Sequence, residues 1–147
     1  EAAEKMINRL NTFDGLFFVN GVDWGNQLAG AVDFPINTGN ATLNNRVIYA
    51  PHCYGPAVYE ASYFNDVRVP HQLGRFLRKY GFLAKEGHPA VIGEWGGNGE
   101  LGTRDAKWND WFVEWLRSKC LTNNFYWCLN PNSKYTGGLL EDDWRTP

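Results

Sequence analysis

The chain has 147 residues, of which 16 are acidic and 14 are basic, and a formal net charge of −2 at pH 7. Nucleic acids and anionic membranes select for concentrated Lys and Arg, so this charge argues against both as partners. No apolar run reaches the roughly 18 residues that span a bilayer, and residues 1–9 are typical of an amphipathic helix rather than a signal peptide.

Short apolar runs alternate with helical patterns along the chain. We predict strands over residues 15–22, 46–50, 90–94 and 124–129, each closed by a turn-rich segment. Apolar stripes at helical spacing predict three helices, through Met6, Ile7 and Leu10, through Leu73, Phe76, Leu77 and Tyr80, and through Trp108, Trp111, Phe112, Trp115 and Leu116. We assign Trp111 and Trp115 to the core, expect Thr103 to cap the last helix with Asp105 complementing its dipole, and predict a loop over residues 39–45.

The alternation of strands and helices predicts an α/β fold with a parallel sheet covered by helices. The last strand is followed by a loop, residues 130–144, at the point where a further helix should cover the sheet. A closed barrel of this class needs about 250 residues. We therefore expect one domain over residues 1–147, which is the second half of a parallel (β/α)8 TIM barrel with strands five to eight and their helices.

Chemically active side chains follow the predicted strands. Ligands of parallel α/β folds bind at the carboxyl ends of the strands. The strand ends are GVDW at 21–24, PHCYG at 51–55, GEWGG at 93–97 and WCLNP at 127–131. From these ends we take the carboxylate of Glu94, the imidazole of His52, the phenol of Tyr54 and the indoles of Trp24 and Trp127 as the candidate site.

Glu94 ends an apolar strand that has no other reason to finish in a charge, and a Gly pair two residues later leaves room beside it. A carboxylate in this position is able to attack an anomeric carbon. The residues alone are equally consistent with a salt-bridged or helix-capping Glu, which is the ordinary fate of this residue type.

His52 and Tyr54 are two residues apart, so that both project to the same side of an extended chain. Tyr54 is a candidate to donate a hydrogen bond to Glu94, and His52 to bind a substrate hydroxyl. A packed histidine and an ordinary half-buried tyrosine are the alternatives.

Two tryptophans at strand ends are candidates to stack on a sugar ring. Trp127 would form the floor beneath the sugar being cleaved, and Trp24 would hold a neighbouring sugar. The alternatives are a core indole for Trp127 and an indole folded onto the rim of the sheet for Trp24. We predict no metal site, because the three His and three Cys residues lack metal-ligand spacing.

Four motifs, in order, resemble family five glycoside hydrolases, especially bacterial and fungal endoglucanases: GVDWGNQLAGA, PHCYG, VIGEWGG and FYWCLNPNSKYTGGLLEDDW. The resemblance implies Glu94 as the nucleophile, His52 and Tyr54 as hydrogen-bonding site residues, Trp127 as the stacking platform and Trp24 as a substrate contact. It implies a secreted retaining endo-β-1,4-glucanase that needs no cofactor, acts on β-glucan polysaccharide or oligosaccharide, and forms a covalent glycosyl-Glu94 intermediate.

The general acid/base of that family, a Glu after an Asn at the end of the fourth strand, has no counterpart here, since the sequence contains no Asn-Glu pair. A retaining glycosidase needs two carboxyl groups. We therefore expect this segment to be inactive alone and its partner to be the missing N-terminal half of the same barrel. The alternatives are a non-catalytic carbohydrate-binding module, a half-barrel scaffold protein and, within enzymes, a mannanase or xyloglucanase.

Overall fold

The computed structural model describes residues 1–60, 64, 87–130, 133 and 135–147. The helix predicted through Leu73, Phe76, Leu77 and Tyr80 lies outside these residues. The chain divides into two compact units, Glu1–His52 with Leu77–Gly93 and Cys53–Phe76 with Glu94–Pro147.

The first unit is built around two parallel strands. Its elements are α1 (Ala2–Arg9), β1 (Phe17–Val19), a 3₁₀ turn (Ala29–Ala31), α2 (Ala41–Asn44) and β2 (Val47–Tyr49). β1 and β2 pair in parallel, with Phe17 opposite Val47. A further parallel bridge joins Tyr49 to Ala90, so the predicted parallel pairing of successive strands is confirmed in this unit.

The core of the first unit is a cluster of four buried apolar side chains: Ile7, Phe17, Leu43 and Val47. The partly buried side chains of Val19 and Ile36 pack against this cluster. Of the stripe predicted on α1, only Ile7 is buried, whereas Met6 and Leu10 are about half exposed. The prediction that Met6 and Leu10 belong to a buried stripe is therefore wrong, because Ile7 is the only buried residue of this eight-residue helix.

The loop predicted over residues 39–45 contains the short helix α2 instead. Asn40 precedes it with extended backbone, and its side-chain oxygen accepts hydrogen bonds from the amides of Thr42 and Leu43 at 2.9 and 3.4 Å. This capping satisfies amides that have no partner within the helix. Asn40, one of the polar residues that indicated a loop, is therefore the N-cap of a short helix.

Three strands form a second sheet in the order β3 (His52–Tyr54), β4 (Ile92–Gly96) and β5 (Asn124–Tyr126). His52 and Tyr54, predicted to follow a strand, lie in a strand of their own. β2 and β3 are separated at Ala50 and Pro51, and proline has no amide hydrogen to donate to a ladder.

The helix α3 (Arg104–Ser118) covers the second unit with an aromatic face. The side chain of Thr103 accepts a hydrogen bond from the amide of Ala106 at 3.1 Å, so the predicted cap is confirmed. Four residues of the predicted stripe are buried: Trp108, Phe112, Trp115 and Leu116. Trp111 is only partly buried, contrary to its core assignment, because it is turned about 100° away from the neighbouring Phe112.

Phe112 is the centre of this aromatic face. Its ring is 0% exposed and lies parallel to the rings of Trp108 and Trp115, with centroids 5.5 and 6.3 Å away. Trp95 of β4 approaches the same ring at 5.5 Å. No helix in the described part of the chain is both long enough and apolar enough to cross a membrane.

We expect Phe112→Ala to lower the free energy of unfolding by about 3 to 5 kcal/mol, since it removes a buried ring and leaves a cavity between packed aromatics. Denaturant unfolding of the protein measures this change. Phe34→Ala is the control, because the ring of Phe34 is 83% exposed and its loss should cost less than about 0.5 kcal/mol. Equal losses for the two variants would contradict the assignment of the core.

Candidate active site

The direction of the Glu94 side chain is set by its neighbour Trp95. The indole of Trp95 packs against Phe112 and against Tyr126, whose centroid is 5.0 Å away, and its Nε1 donates to Asn124 Oδ1 at 2.7 Å. Successive side chains of a strand point to opposite faces. Because Trp95 is anchored on the helix side of β4, Glu94 points to the other face.

On that face Tyr54 of β3 donates a hydrogen bond from its phenol to Glu94 Oε2, with an oxygen–oxygen distance of 2.7 Å. Both side chains are partly buried. The distance is that of a well-formed O–H···O hydrogen bond. The hydrogen bond predicted between these residues is thus confirmed, and it joins positions 40 residues apart in the chain.

The environment of Tyr54 keeps its phenol protonated. Burial raises the pKa of Tyr54 well above its ordinary value, and the hydrogen bond to Glu94 and the negative charge of that carboxylate raise it further. An ionised phenol would be poorly solvated and would repel Glu94. Tyr54 is therefore a permanent hydrogen-bond donor near neutral pH.

We expect Glu94→Gln to lower the pKa of Tyr54, because it removes the carboxylate charge, while burial keeps the pKa above the ordinary value of about 10. Fluorine NMR of protein labelled with 3-fluorotyrosine, whose phenol is more acidic, follows the titration; Tyr54→Phe assigns the signal. Since folding raises this pKa, its contribution to the free energy of unfolding is complete below about pH 10 and falls above it. Identical titrations in Glu94→Gln and the parent protein would contradict the hydrogen bond.

Trp127 follows β5 and lies beside the strand that carries Glu94. Its amide donates to the carbonyl of Trp95 at 2.7 Å. A Cβ added to Gly96 would lie 2.3 Å from the carbonyl oxygen of Trp127, so this close approach requires glycine. The indole of Trp127 is 45% exposed, which leaves part of it accessible to a ligand, and the peptide bond to Cys128 is cis.

His52 and Trp24 belong to the first unit, where a tight turn brings their backbones together. Asp23, Trp24 and Gly25 have positive φ angles of 57°, 51° and 84°. The amide of His52 donates to the carbonyl of Gly25 at 3.1 Å, and a Cβ on Gly25 would lie 2.7 Å from the imidazole. Glycine is thus required for the imidazole to rest on this turn, while the indole of Trp24 is 86% exposed.

The structure therefore joins Tyr54 and Glu94 directly. It places Trp127 immediately after the neighbouring strand β5, and it links His52 to Gly25, the residue after Trp24. Sequence reasoning missed the anchoring role of Trp95, although the alternation of side chains along a strand was a usable signal. Within the described ranges, no group of three or more His, Cys, Asp and Glu side chains is arranged to hold a metal ion.

The family model of cellulase, glycosyl hydrolase family 5, matches residues 1–133. The chain belongs to glycosyl hydrolase family 5. It is 41% identical over 127 residues to the major extracellular endoglucanase of Xanthomonas campestris pv. campestris, an alignment that covers 86% of this chain and 25% of that protein.

Solved structures of the family superpose on nearly all of the chain. The catalytic domain of the Xanthomonas campestris enzyme matches with a TM-score of 0.87 and 37% identity, over 99% of this chain and 45% of that one. A cellotetraose complex of the endocellulase from Pyrococcus horikoshii matches with a TM-score of 0.85 and 31% identity, over 99% of this chain and 44% of that one. The chain thus has the fold of part of a (β/α)8 barrel and spans less than half of these family 5 domains.

Proposed function

We propose that residues 1–147 form the second half of the catalytic domain of a retaining endo-β-1,4-glucanase, and that Glu94 is its nucleophile. The observation that carries the proposal is the 2.7 Å hydrogen bond from Tyr54 to Glu94, within a chain that belongs to family 5. The bond orients the carboxylate of Glu94 on the strand face opposite to the helix.

In the first chemical step a carboxylate oxygen of Glu94 attacks the anomeric carbon of a glucose unit. The glycosidic bond breaks as the new carbon–oxygen bond forms, and the leaving oxygen takes a proton from a general acid. The product is a glycosyl ester of Glu94. Tyr54 does not exchange its proton in this step, because its raised pKa keeps it neutral.

In the second step water attacks the same carbon, the general base takes the proton of the water, and the carboxylate of Glu94 is released. The same carboxyl group serves as acid and then as base, about 5 to 5.5 Å from the nucleophile in retaining enzymes. Because the sequence has no Asn-Glu pair, we assign this group to a preceding half-barrel, which is the partner that the chain requires for activity.

We assign substrate binding to His52, Trp127 and Trp24. An imidazole suits a sugar hydroxyl, and exposed indoles suit the apolar faces of pyranose rings. The small net charge of −2 is compatible with a neutral polymer such as β-1,4-glucan. A polymer of this kind is met outside the cell, and the Xanthomonas relative is extracellular, so we propose secretion of the full-length protein.

The release of reducing ends from carboxymethyl-cellulose, mannan and xyloglucan by the full-length protein tests this function. The proposal predicts the highest kcat/KM for carboxymethyl-cellulose. Preference for mannan or xyloglucan would reassign the substrate, because loops around the same barrel set the choice. Binding of glucan without release of reducing ends would overturn the enzymatic function in favour of a carbohydrate-binding role.

Trp127→Ala is expected to weaken the binding of cellotetraose by about 5- to 30-fold, as a ring face worth roughly 1 to 2 kcal/mol is lost. Calorimetry on the Glu94→Gln background avoids hydrolysis during the measurement. Trp144→Ala is the matched control in the same unit, since Trp144 is 56% exposed and has no assigned role. An unchanged dissociation constant in Trp127→Ala would remove the stacking platform from the proposal.

A further inference from the structure

Asp105, the second residue of α3, is a buried carboxylate that the proposed mechanism does not use. The residue is only 2% exposed. Burying a carboxylate is costly unless hydrogen bonds compensate. The positive end of the α3 dipole provides part of the compensation, and two amides from outside the helix provide more.

Each oxygen of Asp105 accepts one of these hydrogen bonds. Oδ1 accepts from the amide of Ala57 at 2.9 Å, and Oδ2 accepts from the amide of Asn98 at 3.0 Å. Ala57 lies three residues after Tyr54, and Asn98 lies four residues after Glu94. One carboxylate thus connects the chain segments that immediately follow the two members of the hydrogen-bonded pair.

Two glycines make room for this connection. A Cβ on Gly55 would lie 2.7 Å from Asp105 Oδ1, and a Cβ on Gly97 would lie 2.9 Å from Asp105 Oδ2. A Cβ atom does not approach another atom so closely, so a larger residue at either position would displace the carboxylate or the backbone. The second Gly of the pair after Glu94 is therefore explained by Asp105, and the Gly after Tyr54 by Asp105 together with the indole of Trp108, whose Cδ1 would lie 2.5 Å from the added Cβ.

We infer that Asp105 is a positioning residue, whose carboxylate fixes the segments after β3 and β4 and thereby holds the phenol of Tyr54 against Glu94. It touches neither substrate nor the reacting atoms; it acts through the backbone at Ala57 and Asn98. The kinetic consequence rests on the proposed function of Glu94, whereas the geometric consequence, the strength of the Tyr54–Glu94 hydrogen bond, does not.

Asp105→Asn tests the inference. The NH₂ group of asparagine is a donor, so it faces one of the two backbone N–H groups and the hydrogen bond there is lost. Asp110→Asn, an exposed position on the same helix, is the control. The readout is the fluorine NMR titration of Tyr54 in 3-fluorotyrosine-labelled protein, which a general loss of stability does not shift in the folded fraction. We expect the titration of Tyr54 to move to lower pH in Asp105→Asn and to stay in place in Asp110→Asn.

In the full-length protein we expect kcat of Asp105→Asn, per folded molecule, to fall by roughly 10- to 100-fold with KM changed less than about threefold, since a small misplacement of reacting groups is costly. A shifted titration in a protein without hydrolytic activity would overturn the proposed function and retain the positioning role. An unshifted titration would overturn the positioning role, whatever the activity.

A second pair of variants keeps the inference testable if Asp105→Asn does not fold. Gly97→Ala leaves every charge in place but forces the carboxylate away, whereas Gly99→Ala introduces a Cβ that meets no atom within 4 Å. We expect the titration of Tyr54 to move to lower pH in Gly97→Ala only. Equal titrations in these two variants would contradict the role of Asp105.

Discussion

We expect Glu94→Gln in the full-length protein to lower kcat/KM for carboxymethyl-cellulose by at least about 10⁴-fold, as when other hydrolases lose their nucleophile. Glutamine has the same shape and still accepts a hydrogen bond from Tyr54, but its amide does not attack an anomeric carbon. The loss should appear in kcat, because the covalent intermediate no longer forms.

Glu100→Gln is the matched control for this variant. Glu100 is exposed, lies six residues further along the same segment, and has no role in the proposed site. We expect its kcat/KM to stay within about twofold of the parent value, as for most surface substitutions. Retention of more than a few per cent of the activity by Glu94→Gln would contradict the assignment of the nucleophile.

The isolated 147-residue chain is expected to be about 10² to 10⁴-fold less active than the full-length protein, because we assign the general acid/base to a preceding half-barrel. Reducing-end assays at equal concentrations of folded protein measure the difference. Co-expression with the N-terminal half of the Xanthomonas campestris catalytic domain should restore activity if the two halves associate through their strand edges.

The isolated Glu94→Gln chain controls for contaminating glucanases in this comparison. Activity of the isolated chain that Glu94→Gln removes would mean that a carboxylate within residues 1–147 supplies the proton, and it would contradict the need for a preceding half. Activity that survives the substitution would belong to a contaminant and not to this chain.

The elements that were predicted correctly are those with strong local patterns. The stripe of α3 recurs at helical spacing from Trp108 to Leu116, so both the existence of the helix and the cap at Thr103 follow from residues close together in the chain. The strand β4 was predicted over residues 90–94 from its apolar run; the observed strand is Ile92–Gly96, with Glu94 at its centre. The Tyr54–Glu94 hydrogen bond could also be predicted from the sequence, because the ends of neighbouring parallel strands meet at one edge of a sheet.

The features that were missed depend on contacts between distant residues. Asp105 was interpreted as a charge that complements a helix dipole, a local role, whereas its oxygens accept from Ala57 and Asn98. The first of these partners is 48 residues away, so no periodicity or local motif indicates it. The helix α2 was missed for the opposite reason, since four residues are too few to show a helical period.

Mass spectrometry of trapped enzyme tests most directly whether Glu94 becomes covalently attached to sugar. In a 2-deoxy-2-fluoro-β-cellobiosyl fluoride, fluoride leaves C1 without needing a proton, while the fluorine at C2 slows hydrolysis of the resulting ester. Incubated with the full-length protein, this reagent should yield one labelled peptide, with the fluorocellobiosyl group on Glu94. A label on another carboxylate, or none on a protein that hydrolyses glucan, would contradict the account.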